Sequence, residues 1–145
     1  MRITTRGRYS LRAAVALAKM TKDKELIPIK AISDAEDISP IFLEQIFFKL
    51  KKAGIVNSVR GPSGGFAFNR SIDSITVKEI MDAADEEMTV LPCDRNKSEC
   101  ERESDCISHT VLAMVTECMN NCLNSITLKM ILEDDRFRGK AGVRG

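Results

Sequence analysis

The chain has 145 residues, 43% of them apolar and 30% charged, which allows one compact soluble domain or one small domain with an appended arm. No apolar run approaches the ~20 residues of a membrane span, and Met1-Arg2-Ile3-Thr4 does not read as a secretory signal. A cytosolic protein with no membrane partner is therefore expected. Five cysteines in a reducing compartment favour metal binding or redox chemistry over a disulfide framework. The net charge of +1 hides an asymmetry: residues 1–70 carry 13 Lys/Arg against 6 Asp/Glu, and residues 71–145 carry 9 against 15. A basic front half suits a polyanion such as nucleic acid, although a dipolar inert surface would look the same.

In chain order, Thr4 or Thr5 can cap a first helix that runs to about residue 20. Pro28 opens a short second helix over 29–36. Ser39-Pro40 reads as N-cap and first turn of a third helix, which runs to Lys52 and stops at Gly54. A β-branched stretch over 55–60, the turn Gly61-Pro62-Ser63-Gly64-Gly65 and a returning strand over 66–68 make a hairpin. Thr76-Val77-Lys78-Glu79 is a capping box for a fourth helix ending near Asp85.

Residues 88–106 show no apolar period and have too few apolar residues to order themselves. A long helix then spans about 104–124, Ser125-Ile126-Thr127 breaks it, and a last short helix covers 128–132. The expected fold is mainly α with a small β-hairpin. Its parts are a winged helix-turn-helix DNA-binding domain (1–87), a cysteine-rich cluster-binding loop (88–106), a dimerisation helix with a short last helix (107–136) and a mobile tail (137–145).

On a helical wheel Leu43, Ile46, Phe47 and Leu50 of the third helix share one face. The opposite face carries Ile41, Glu44, Gln45, Phe48 and Lys52. Apolar Ile41 and Phe48 among polar groups suit a major groove, where Gln pairs with adenine, Glu accepts from the cytosine amino group and carbon meets the thymine methyl. Ser39 stands at the start of this helix. Arg60 precedes a hairpin tip of Gly61, Ser63, Gly64 and Gly65, whose bare backbone can approach phosphates while the arginine enters a minor groove. Arg2, Arg6, Arg8 and Arg12 cluster at the first helix and can hold phosphates. The alternative for all of these is a solvated basic face.

Cys93, Cys100, Cys106 and His109 form C-x6-C-x5-C-x2-H. Thiolates and imidazole ligate zinc or iron–sulfur clusters, and the two wide gaps fit a polynuclear cluster better than a tight zinc knuckle. Cys118 and Cys122 stand four apart on the long helix, on the side of Ile107, Val111, Met114 and Val115, and read as core or interface positions. At ~30 Å this helix exceeds what one small domain covers, so Val111, Met114, Val115, Cys118 and Cys122 are the expected dimer face. No G-x-S-x-G or Walker sequence occurs, and an enzyme is not expected.

These residues together resemble the IscR-type family of iron–sulfur cluster-sensing winged-helix transcription regulators. The likeness covers nearly the whole chain: residues 1–9 (MRITTRGRY), Leu43-Glu44-Gln45, residues 59–66 (VRGPSGGF), the three cysteines and Asn124-Ser125-Ile126-Thr127-Leu128. The resemblance implies a homodimer on double-stranded DNA, control of iron–sulfur assembly genes and use as a repressor. It implies a 2Fe–2S cluster on Cys93, Cys100 and Cys106 with His109 as fourth ligand, a base-reading role for Glu44 and a wing role for Arg60. The sequence departs from the closest branch by one extra residue in the first cysteine gap, which keeps 4Fe–4S and another fourth ligand open. Arg8 stands where the nitric-oxide-sensing 4Fe–4S branch places an aspartate ligand. Ile41 and Phe48 are bulkier than their counterparts, so the DNA sequence read can differ. The alternatives are a thiol or nitric-oxide sensing regulator and, from another class, a cluster carrier that does not bind DNA.

Overall fold

The computed structural model describes residues 2–21, 25–91, 93, 100 and 102–138. Six α-helices and one hairpin are present among them: α1 (Thr5–Met20), α2 (Ile29–Glu36), α3 (Pro40–Lys52), β1 (Val56–Val59), β2 (Gly65–Phe68), α4 (Val77–Ala83), α5 (Ile107–Ser125) and α6 (Leu128–Glu133). Most of the expected tail, residues 139–145, and much of the expected cysteine loop, residues 92, 94–99 and 101, lie outside the described residues.

Helix starts follow the capping residues. Thr4 accepts from the Gly7 N–H, Ser39 from that of Phe42, and Thr76 and Glu79 complete a reciprocal capping box. Alanines let α1 pack closely: Ala13, Ala14, Ala16, Leu17 and Ala18 are buried. Between α2 and α3, Asp37 takes a left-handed conformation (φ 52°), and the tight turn sets the two helices at an angle. Leu43, Ile46, Phe47 and Leu50 form the buried face of α3, as their spacing requires.

β1 and β2 pair antiparallel, with Val56 opposite Phe68 and Val59 opposite Gly65. Ile27 forms an isolated antiparallel bridge to β2 by exchanging two backbone hydrogen bonds with Phe66, at 3.0 and 2.8 Å. Gly65 has to be glycine here, because a Cβ would lie 2.5 Å from the Ile27 carbonyl oxygen. At the tip Gly61 has φ +116°, a conformation that side-chain-bearing residues avoid.

One core joins α1, α2, α3, the hairpin, Ile75, Ile80 and, from the far end of the chain, Leu128. Thr76 and Thr127 form an isolated antiparallel bridge, and the Leu128 N–H donates to the Ile75 carbonyl at 3.0 Å. The short last helix, grouped from sequence with the long helix in 107–136, thus packs into the winged-helix core, with Ile131 and Leu132 against it. Residues 103–105 form a separate 3₁₀ turn, so α5 begins at Ile107 rather than at 104. Cys106 caps it, its sulfur accepting from the His109 N–H at 3.4 Å.

Candidate nucleic-acid interface and cysteine segment

α3 presents its second face to solvent. Ile41 is 72% and Phe48 68% exposed, and with Glu44, Gln45 and Lys49 they line one shallow groove. Among the described residues Glu44 has no hydrogen-bond or ion-pair partner, so both carboxylate oxygens are available. Lys52 is also exposed. Ser39 is exposed but committed to its cap, which positions the helix. Lys49 was not singled out from sequence. It pairs with Asp85, holding that carboxyl below its ordinary range, with further pull from Arg6 and Lys52. Arg6, Lys49 and Lys52 therefore converge round Asp85, which makes the start of α1 and the end of α3 neighbours.

The wing is anchored to α3. Phe47 and Phe66 rings lie 4.5 Å apart, and Lys51 Nζ donates to Ser58 Oγ at 2.6 Å. Arg60, Gly61, Pro62 and Ser63 are exposed at its tip. Gly64 and Gly65 are half-buried and serve hairpin closure: the Gly64 N–H donates to the Gly61 carbonyl, and a Cβ at either glycine would meet backbone. The side-chain-poor tip is thus confined to 60–63.

Arg2, Arg6, Arg8 and Arg12 are all exposed. Arg6 Nε donates to the Ala84 carbonyl at 2.7 Å, and Arg8 bonds Thr5 Oγ1 at 3.3 Å. Arg12 is tethered as well. It is paired with Glu36 at 3.0 Å and lies over the Tyr9 ring, so it ties α1 to α2.

Cys106 and His109 are brought together on the first turn of α5 and are both half-buried. Cys93 is half-buried and Cys100 exposed. Among the described residues no three His, Cys, Asp or Glu side chains stand close enough to hold one metal ion. The donor set still has the chemistry of an iron–sulfur site, and the Cys106 sulfur lies at the positive end of α5, where a negatively charged ligand is favoured.

α5 has two apolar sides. Met119, Leu123 and the following Ile126 pack on Val77, Met81 and Met88. Roughly 115° round the helix, at about 100° per residue, lie Ile107 (81% exposed), Val111 (52%), Met114 (62%) and Val115 (47%). Cys118 and Cys122 share that outer stripe and are exposed, which removes the core alternative for them.

No helix among the described residues is long and apolar enough to cross a membrane. The sequence profile of the Rrf2 family, described as "Iron-dependent Transcriptional regulator", matches residues 3–134. The HTH-type transcriptional regulator IscR of Vibrio campbellii is 34% identical over 135 residues, covering 93% of this chain and 79% of that relative. The solved structure of T. potens IscR superposes with a TM-score of 0.72 at 28% identity, covering 92% of this chain and 88% of that one. CymR (YrzC), the global cysteine regulator of B. subtilis, superposes with a TM-score of 0.68 at 27% identity, covering 89% and 94%. Proteins named as regulators rather than enzymes thus surround the chain, and with the family matched over nearly its whole length and a winged-helix face exposed, it belongs to the Rrf2 family of DNA-binding transcriptional regulators.

Proposed function

We propose that this chain is a homodimeric, iron–sulfur cluster-sensing repressor that reads double-stranded DNA with α3 and its wing and controls iron–sulfur assembly genes. The observation that carries the DNA-reading part is the outer face of α3: a carboxylate without a partner, flanked by two exposed apolar side chains. Such a face is costly in water and matches a groove edge that offers a cytosine amino group between thymine methyls. Arg60 at the wing tip and Arg2, Arg6 and Arg8 at the start of α1 supply phosphate or minor-groove contacts. Each such contact releases counterions, so binding falls steeply with salt.

Cys93, Cys100, Cys106 and His109 are the residues that would hold a 2Fe–2S cluster, with 4Fe–4S as the variant the longer first gap permits. When bound, the group supplies a redox- and iron-sensitive crosslink between the segment leaving α4 and the start of α5. The IscR relatives favour this reading. The likeness to CymR, a global cysteine regulator, favours a thiol-sensing regulator as the second one.

The test is selection of genomic fragments by anaerobically purified, iron-loaded protein and by chelator-treated protein in parallel. The expected result is a pseudo-palindromic site upstream of iron–sulfur assembly genes, with affinity that differs at least tenfold between the two forms. Glu44→Ala should relax the choice of base and shrink that difference. Enrichment without sequence preference in both forms would refute the reading.

A further inference from the structure

Residues 84–91 run from the end of α4 towards Cys93, and they are tied at both ends. At one end Arg6 Nε donates to the Ala84 carbonyl, Lys49 of α3 pairs with Asp85, and Glu86 accepts from both the Thr4 N–H (3.1 Å) and the Thr4 hydroxyl. At the other end Asn120 Nδ2 donates to the Met88 carbonyl at 3.1 Å, and the Val90 N–H donates to Thr116 Oγ1 at 3.2 Å. Both of these partners belong to α5.

Glu86 is the unusual member. It is only 6% exposed, and a carboxylate is rarely left in such a place without cause. It sits at the start of α1, whose own first turn contains no acidic residue, so it supplies from outside the negative charge that the unpaired N–H groups there favour. Room for it exists because residue 7 is glycine: a Cβ there would lie 2.5 Å from Glu86 Oε2. Thr4 is at once the N-cap of α1, accepting from the Gly7 N–H, and the donor to Glu86. The direction of the chain through Arg2, and of the first turn carrying Arg6 and Arg8, is therefore fixed by Glu86.

We propose that Glu86 is a positioning residue for DNA binding, and that the strap 84–91 carries displacement at α5 and the cysteine segment to the arginine-bearing start of α1. The proposal rests on the reading that this start meets the DNA backbone.

The test is the salt dependence of binding to a random-sequence 30-base-pair duplex, which counts phosphate contacts without needing the operator or the cluster. Each lost contact lowers the slope of log K against log salt by about 0.9, or about three- to fourfold in affinity over a fourfold change in salt. Glu86→Gln and Gly7→Ala are each expected to lower the slope by about one to two contacts while helix content by circular dichroism is kept. Asn120→Ala, on the α5 side, is expected to lower it as well. Arg2→Ala with Arg8→Ala is expected to lower it and to leave Glu86→Gln little further effect, because coupled residues are not additive. If the arginine variants leave the slope unchanged, the start of α1 does not meet DNA and the underlying reading fails. If they lower it and folded Glu86→Gln does not, the positioning role is refuted. If Glu86→Gln lowers it and Asn120→Ala does not, the strap carries nothing from α5.

Discussion

The outer stripe of α5 sets a quantitative demand. Ile107, Val111, Met114 and Val115 are between 47% and 81% exposed. Full burial of such a side chain contributes about 1.5–3 kcal/mol, so covering what remains exposed amounts to about 4–7 kcal/mol per copy, and twice that in a two-fold dimer. Association itself costs about 4–15 kcal/mol, so the stripe is of the size that makes a dimer and leaves it sensitive to one residue. Met114→Glu removes about 1–2 kcal/mol of burial per copy and counts twice, before any cost of placing two carboxylates in an apolar contact. A loss of about 2–4 kcal/mol weakens dimerisation by roughly thirty- to a thousandfold. Sedimentation velocity across micromolar concentrations should show dimeric wild type and largely monomeric Met114→Glu, with helix content unchanged because Met114 is exposed in the single chain. Operator affinity should fall with it, since two half-sites are then no longer engaged together. A wild type that stays monomeric at tens of micromolar, or a variant that sediments like it, would refute the assignment of this stripe.

Cys93→Ala, Cys100→Ala and Cys106→Ala are each expected to abolish the visible absorption of iron-loaded protein, whereas Cys118→Ala and Cys122→Ala should keep it; absorption that survives Cys100→Ala would show the ligand set to be wrong. Leu128→Ala should destabilise the folded chain by about 2–5 kcal/mol in urea titration, because Leu128 is fully buried in the main core; an effect on dimerisation alone would contradict that packing. For Glu79, burial is the largest single influence and pushes its carboxyl up, but the Thr76 N–H and Arg70 together outweigh it and hold it below the ordinary 4.5. A depressed carboxyl contributes stability above its unfolded-state value and loses it as pH falls through the folded one. Glu79→Ala should therefore cost about 1 kcal/mol near neutral pH, and the gap to wild type should narrow as pH falls below the ordinary carboxylate range, as read by urea midpoints; a gap that widens on acidification would reverse the sign of the argument.

Local signals were legible and long-range ones were not. The period of Leu43, Ile46, Phe47 and Leu50 identified the buried side of α3 and, by subtraction, the exposed Ile41 and Phe48, because helical spacing is written in the sequence itself. The capping residues Thr4, Ser39 and Thr76 act through neighbours three residues away and could be read the same way. Leu128 could not be placed: α6 has six residues, four of them apolar, too short a run to show which side is buried, and the partner, Ile75, is more than fifty residues distant. The same holds for Arg12, whose carboxylate Glu36 comes from the next helix, and for the pairing of Ile27 with Phe66, which no turn signal announces. Glu86 looked like one acid among several in Asp85-Glu86-Glu87. Its burial depends on Gly7, 79 residues earlier, being without a side chain.

The strap also bears on the size of the response that the proposed cluster sensing requires. A regulator that changes affinity ten- to a hundredfold needs a difference of about 1–3 kcal/mol between its two forms. Hydrogen bonds between neutral groups contribute about 0.5–1.5 kcal/mol each, and those to a charged group about 1.5–3. The bonds from Asn120 to Met88 and from Val90 to Thr116 are of the first kind, and those from Thr4 to Glu86 of the second. Making or breaking the two at the α5 end alone therefore moves the equilibrium by the required amount, without unfolding either domain face. A cluster drawing Cys93 towards Cys106 would act on these bonds first, since Val90 lies three residues before Cys93 and Thr116 ten residues after Cys106 on the same helix. The main core, with Leu17, Phe47 and Leu128 fully buried, would require several times that energy to rearrange. The linkage thus favours a change in how α1 and α3 are presented to DNA over a change in how they are folded.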